Sequence, residues 1–226
     1  MGVTSESDPL KTTLLRALRN SLRLQPVPLV VAESIWPAAA LWAGGITVEK
    51  ALRRARILPG DRIVARLPNG AAFIQLMLGC LRVGAGFCPV PIAVGSSDAS
   101  DYARDLGAVL VIEHETDFAD LRTLGNDAAS DEVMSALECS VAETILLWRG
   151  RSVDESPVAI SIGDLLSEAE ARSTRIGLTE DSTLRCPESW ATQSGLTEVL
   201  AGLLSPVVIE AASASISGPS PLTTAA

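Results

Sequence analysis

A mainly parallel α/β fold, its sheet flanked by helices, is predicted by three observations. Short runs rich in β-branched residues alternate with helical stretches. Turn residues stand at most junctions. Hydrophobic residues make up 47% of the 226-residue chain against 20% charged, enough to fill a core around a sheet.

The elements follow in order. Ser7-Asp8-Pro9 offers a cap and a first-turn proline, and Leu10, Leu14, Leu18 and Leu22 then recur every fourth residue as the buried stripe of a helix ending by Pro26. Pro28–Ala32 reads as a short buried strand. Thr47 is a candidate cap for a second helix through Arg56, and Leu58-Pro59-Gly60-Asp61 turns the chain into a strand at Ile63–Leu67. Pro68-Asn69-Gly70 breaks that strand before an apolar helix over Ala71–Val83. Gly84-Ala85-Gly86 closes the helix and hands over to a strand at Phe87–Val90. A helix over Ser100–Leu106 and a strand over Ala108–Ile112 follow, then a polar stretch, 114–142, that is helical in parts. Thr144–Trp148 reads as a strand, Gly163–Arg175 as a helix and Thr183–Cys186 as a strand. Gly195–Leu204 is a helix and Val207–Glu210 the last strand. One unit over 1–210, with an N-terminal helix within 1–27, is expected. The small, polar run 211–226 reads as a disordered tail or linker.

Charge and composition narrow the function classes. Residues 1–66 carry a net +5 and residues 67–226 a net −14, giving −9 for the chain. The basic residues fall on helical patterns, with Arg53, Arg54 and Arg56 near a helix end, and no aromatic residues interleave with them. A solvated helix face, not a nucleic-acid surface, is the expected reading. The cysteines Cys80, Cys88, Cys139 and Cys186 form no C-x-x-C, and His114 is the one histidine, so no metal site is expected. Isolated cysteines in apolar stretches read as small core residues of a cytoplasmic protein. Glu6 and Asp8 precede any apolar run, unlike a secretory signal. Ser34–Val48 is uncharged but short, and Leu67–Ser97 is interrupted by Pro68, Gly79, Gly84, Gly86, Pro89 and Pro91, so no membrane span is expected.

Familiar catalytic groupings are absent. His114 sits in Glu113-His114-Glu115 after a strand, where a polar loop residue is the ordinary explanation. There is no G-x-S-x-G elbow. Glu168 with Glu170, and Glu113 with Glu115, read as solvated faces.

One ordered set of short motifs is more specific. Ile57-Leu58-Pro59-Gly60-Asp61-Arg62-Ile63-Val64 is followed by Leu67-Pro68-Asn69-Gly70 and then by Gly84-Ala85-Gly86-Phe87-Cys88-Pro89-Val90. In order and spacing this resembles the opening of the adenylate-forming superfamily, which includes acyl-CoA synthetases, fatty-acyl-AMP ligases and peptide-synthetase adenylation domains. The resemblance covers most of residues 28–210, more thinly after the first third. Further on, Gly177-Leu178-Thr179-Glu180-Asp181-Ser182-Thr183-Leu184 is similar to a family segment. Cys186-Pro187-Glu188-Ser189-Trp190 falls where many members carry P-x-x-H along the acyl or aminoacyl pocket, with Trp190 in the histidine's place. The resemblance thus implies a remnant acyl pocket at Trp190 and Gly195.

The family's phosphate loop is rich in Gly, Ser and Thr because only such a backbone approaches phosphate oxygens closely. The resemblance puts that loop after Thr144–Trp148, where the chain reads Gly150-Arg151-Ser152-Val153-Asp154-Glu155-Ser156-Pro157-Val158-Ala159. Pro157 matches the family's proline and Val158 stands for its lysine. Asp154 and Glu155 replace loop threonine and glycine. At about 4 Å and a surface-like dielectric, each carboxylate–phosphate pair would cost about 4 kcal/mol before screening. Gly150, Arg151, Ser152, Pro157 and Val158 therefore mark a degenerate phosphate-loop position. The adenine-, magnesium- and ribose-binding motifs and the lid lysine have no counterpart in the sequence. No catalytic residue and no cofactor are expected. The expected role is a non-catalytic, acyl-CoA-synthetase-like pseudoenzyme or docking domain in an acyl-processing pathway. It would associate with a protein partner or itself through exposed apolar surface. The alternative is one half of a split acyl- or aryl-acid adenylating ligase that needs a separate nucleotide-binding partner.

Overall fold

A computed structural model describes residues 9–24, 28–31, 34–126, 144–147, 158–179, 181–205 and 207–211. The described elements run α1 (Pro9–Leu24), β1 (Pro28–Val31), β2 (Ser34–Pro37), α2 (Ala38–Arg54), β3 (Arg62–Ala65), α3 (Ala71–Val83), β4 (Gly86–Pro89) and α4 (Ser96–Asp105). They continue β5 (Leu110–Ile112), α5 (Glu115–Asn126), β6 (Thr144–Leu147), β7 (Val158–Ser161), α6 (Ile162–Ile176), β8 (Thr183–Cys186), α7 (Gln193–Leu204) and β9 (Val208–Ala211).

The strands form three groups. One sheet has the order β2-β1-β9-β8, the second β4-β3-β5, and β6 pairs with β7. β1/β9, β8/β9, β3/β4 and β3/β5 are parallel, while β1/β2 and β6/β7 are antiparallel hairpins. β6 lies beside β4. The fold is the expected α/β type, with parallel pairs made by strand–helix–strand crossovers such as β3-α3-β4 and β8-α7-β9.

Alternation along the strands decides what each sheet face covers. In β3 and β4, Ile63, Ala65 and Phe87 join the main core, which takes in α1, α2, α3, α5, α6 and α7. Val64 and Cys88 point the other way, into a smaller cluster closed by Ala99, Tyr102, Ala103 and Leu106 of α4 and its end. This second sheet is therefore covered on both faces. Among the described residues, the first is covered on one face at β8 and β9. Leu184 and Ile209 lie under α7, where a Cβ on Gly202 would come within 2.8 Å of Ile209. Their strand neighbours Thr183 and Arg185 are exposed, and Arg185 pairs with Glu210 at 2.8 Å across the β8/β9 register.

Helix α2 departs from the sequence expectation. It begins at Pro37 and runs through Thr47, whose hydroxyl donates to the Ala43 carbonyl at 3.2 Å instead of capping. Two glycines in the helix interior cost about 1 kcal/mol each relative to alanine. Packing against α3 explains why they are tolerated. A Cβ on Gly45 would stand 2.7 Å from Cβ of Leu78, and one on Gly44 would overlap Gln75. Gly79 on α3 takes Val48 in return.

Other boundaries also moved. α4 starts at Ser96, four residues before the expected Ser100, with Gly95 at its N-cap and Asp98 in the first turn. Strands β2 and β7, four residues each, were not expected. The closing turn of α3 is as read, with Gly84 left-handed at φ 84° and Ala85 N–H donating back to the Cys80 carbonyl. The expected cap Ser7-Asp8, the tail 212–226 and residues 127–143 lie outside the described residues.

Candidate functional site

Ligand sites in open parallel sheets gather beyond the carboxyl ends of the strands. Two such ends are brought together here. After β3 the chain runs through Arg66, Leu67, Pro68, Asn69 and Gly70 into α3, and after β8 it runs through Pro187–Thr192 into α7. Asn69 joins them. Its Nδ2 donates to the Glu188 carbonyl at 2.7 Å, and its Oδ1 accepts from the Trp190 N–H at 2.9 Å. One side-chain amide thus plays the part of a strand neighbour for residues more than 110 positions away.

The Trp190 side chain is fully buried, at 0% exposure. Its ring meets Phe73 edge to face at 5.8 Å, and Phe73 meets Phe87 in the same way at 5.2 Å. Such contacts add about 0.5–1.5 kcal/mol each beyond area burial. Nε1 of Trp190 is buried with no hydrogen-bond partner among the described residues. Trp190 occupies the interior here and does not line an open cleft. Gly195, the companion expectation, lies in the first turn of α7. A Cβ there would overlap the Ser189 carbonyl, and its N–H donates to Oγ1 of the N-cap Thr192 at 3.2 Å. Gly195 lets the 187–192 segment lie against the helix.

The expected phosphate-loop position falls between β6 and β7. Their antiparallel register pairs Thr144 with Ser161 and Leu147 with Val158. Val158 is half-buried as the first residue of β7, while Gly150, Arg151, Ser152 and Pro157 lie outside the described residues.

The remaining candidates settle into structural work. The His114 side chain is exposed, and its backbone N–H, like that of Glu113, donates to Oδ2 of Asp117 at the start of α5. Glu113 accepts from the hydroxyls of Ser96 and Ser100 on α4. Glu168 accepts from Gln193 and Thr197, which ties α6 to the first turns of α7, while Glu170 stays exposed. Arg53 and Arg82 converge on the buried carboxylate of Glu49, and Arg54 donates to the Leu124 carbonyl. The basic stretch near residue 54 is therefore partly spent on intramolecular bonds.

Cys80, Cys88 and Cys186 are free and buried. Burial pushes the Cys88 thiol from 9.0 up to about 12, with the Arg62 charge pulling partly against it. Burial raises Cys186 to about 12 as well, and Glu198 adds to the shift. Cys80 is also raised by burial. A thiol that keeps its proton is a poor nucleophile and metal ligand. Among the described residues, no group of His, Cys, Asp and Glu could hold a metal ion, and no helix is long and apolar enough to cross a membrane. Two cavities open on the surface, about 440 Å³ between α1, α6 and α7 and about 490 Å³ beside Arg172 and Gln193. Neither includes Trp190.

The fold of this chain is the one seen in the N-terminal portion of solved adenylate-forming enzymes. The chain is similar to acetyl-coenzyme A synthetase of Burkholderia thailandensis, 27% identical over 106 residues, which are 46% of this chain and 16% of that enzyme. Among solved structures, a fatty acyl CoA synthetase of Mycobacterium tuberculosis superposes with a TM-score of 0.75 at 18% identity, covering 91% of this chain and 45% of that one. VinN, solved in complex with 3-methylaspartate, superposes with a TM-score of 0.70 at 20% identity over 88% of this chain and 61% of its own. No family model matches. The chain spans less than two thirds of each of these relatives.

Asn69 is the residue that sequence reading underused. It stood in the Leu67-Pro68-Asn69-Gly70 motif and was read as part of a strand break, because a long-range side-chain bond leaves no local signal.

Proposed function

We propose that this chain is a non-catalytic relative of the adenylate-forming enzymes, a docking or interaction domain in an acyl-processing or biosynthetic pathway. The observation that carries this reading is the stretch Gly150–Ala159. Asp154, Glu155 and Val158 stand where phosphate binding calls for glycine, hydroxyl and lysine. Transfer chemistry at phosphorus relies on cations and amides already aimed at the developing charge, and this stretch opposes that charge. Trp190 supports the same reading. An indole filling the space beside Phe73 leaves no room there for the acyl group of a substrate. The three buried, unpaired thiols fit a reducing, cytoplasmic setting.

The partner surface is proposed on the same footing. Ile35, Leu58, Ile92, Val109, Leu124 and Ile176 are the exposed large apolar side chains among the described residues. They lie on different elements, so a partner or second copy would meet a mixed surface and not one continuous apolar face. The unit proposed to act is 1–210, with 211–226 as linker.

A second reading, one half of a split acyl- or aryl-acid ligase, is favoured by the span of the match, which reaches 45% of the fatty acyl CoA synthetase chain. Titration of the purified chain with magnesium–ATP in a calorimeter tests the first reading: no binding heat below millimolar concentration is expected. Tight binding, or formation of an acyl adenylate by the isolated chain, would overturn it. Activity appearing only on mixing with a separately expressed nucleotide-binding half would select the second.

A further inference from the structure

We infer that Pro187–Thr192 is a strap, a segment that lifts from the carboxyl ends of β3 and β8 while both sheets stay folded, with Asn69 as the residue that holds it down. This goes beyond the proposed function and does not depend on it.

The strap's attachments are few. To the segment after β3 its described hydrogen bonds are the two to Asn69, at 2.7 Å from Nδ2 to the Glu188 carbonyl and 2.9 Å from Trp190 N–H to Oδ1. At its far end Thr192 is the N-cap of α7, accepting from Gly195 N–H at Oγ1 (3.2 Å) and from Leu196 N–H at its carbonyl (2.8 Å), so this end is the hinge. The others are local. Thr192 N–H and hydroxyl both donate to the Ser189 carbonyl, at 3.1 and 2.8 Å, and Ala191 N–H reaches the Ser189 hydroxyl at 3.3 Å. These local bonds move with the strap and do not resist its lifting. Asn69 is half-buried, and its bond to the Glu188 carbonyl is open to solvent, so water can compete for that bond.

The second observation is the orphaned indole. Trp190 contributes large apolar burial that favours the closed strap. It also carries a buried Nε1–H with no acceptor among the described residues, a penalty present only while the strap is down. Lifting restores a water partner to that N–H and uncovers the edge of Phe73 between the two sheets. Segments with few main-chain bonds to the scaffold open locally, at lower cost than global unfolding. Asn69 is thus a positioning residue for Trp190, and the interior beside Phe73 is reached through this segment.

Native-state hydrogen exchange on the full chain tests the strap directly. In the wild type, the Trp190 indole and backbone N–H groups are expected to exchange at rates that hardly change with low denaturant concentration. The Ile63, Val64 and Leu184 amides should instead follow the steep dependence of global unfolding. In Asn69→Ala, exchange at Trp190 is expected to accelerate on the order of 30-fold, with the strand amides accelerated by no more than the same factor, since both openings start from the one closed state, and with the two sets keeping their different denaturant dependence. The inference is overturned if the Trp190 groups share the strand amides' denaturant dependence in the wild type. It is equally overturned if Asn69→Ala leaves Trp190 exchange unchanged. The wild-type measurement stands by itself should the variant fail to fold.

Discussion

At the scale of single residues, the helix ends are instructive. Gly84, Gly107 and Gly177 take the left-handed conformation after their helices, where the absence of a Cβ removes the strain. Arg56 does the same job after α2 at φ 61°, with its N–H bonded to the Arg53 carbonyl and Ile57 N–H to Leu52. A side chain in that conformation costs about 1–2 kcal/mol, so Arg56→Gly is expected to stabilise the chain by up to about 1 kcal/mol after the added freedom of the unfolded glycine. Urea denaturation would read the shift in midpoint. Trp190→Ala has the opposite sign. Loss of a fully buried indole should cost about 3–5 kcal/mol by the same measurement, and a loss under 1 kcal/mol would mean that the site collapses readily.

The cysteines give a pH dependence whose sign follows from burial. Cys88 and Cys186 keep their protons in the folded chain up to about pH 12, whereas an exposed thiol releases its proton near 9.0. Their contribution is therefore complete below pH 9 and is withdrawn as pH climbs from 9 toward 12. Folding stability is expected to fall across that window in a titration followed by circular dichroism. Substituting Cys88 and Cys186 with alanine should flatten the fall. At pH 8 a thiol reagent should label Cys80, Cys88 and Cys186 slowly in the native chain and rapidly in urea.

At the scale of elements, the α2–α3 contact carries the clearest prediction. Gly79→Ala would drive a Cβ into Val48, and because the helices touch there through backbone and short side chains, a cost of about 1–3 kcal/mol is expected in thermal or urea unfolding. α3 was legible in the sequence because its start and stop signals, Gly70 and Gly84, flank a continuous apolar run. β8 was legible for a similar reason, as alternation between turns. α2 was misread at its start because Thr47 looks like a cap until its hydroxyl is seen bonded to the Ala43 carbonyl of the preceding turn. β7 was missed because four residues beside an irregular stretch carry too little alternation to be seen. The candidate site was legible only as a place. Pro187–Trp190 was singled out by likeness to a family segment, but the burial of Trp190 and its tie to Asn69 depend on the packing of two sheets, which no local pattern encodes.

At the scale of the whole molecule, sequence and three-dimensional form show likeness to the same kind of enzyme with different strength. Sequence identity is low throughout, 27% in the best-matched stretch described and 18% in the superposed synthetase, yet the layered form is retained over nine tenths of the chain. A form that outlasts its sequence is expected when core volume and polarity are kept while individual side chains drift. The uncovered face of the first sheet has its own consequence. Arg185 is 82% exposed there and engages Glu210, and Thr183 stands beside it. Hydrophilic strands turned outward resist sticking to whatever passes. Replacing Arg185 and Thr183 together with valine should leave the melting temperature nearly unchanged while driving the chain to precipitate at concentrations the wild type tolerates. The present side chains, in other words, act as insulation on the face of β8 and β9 that no described residue covers.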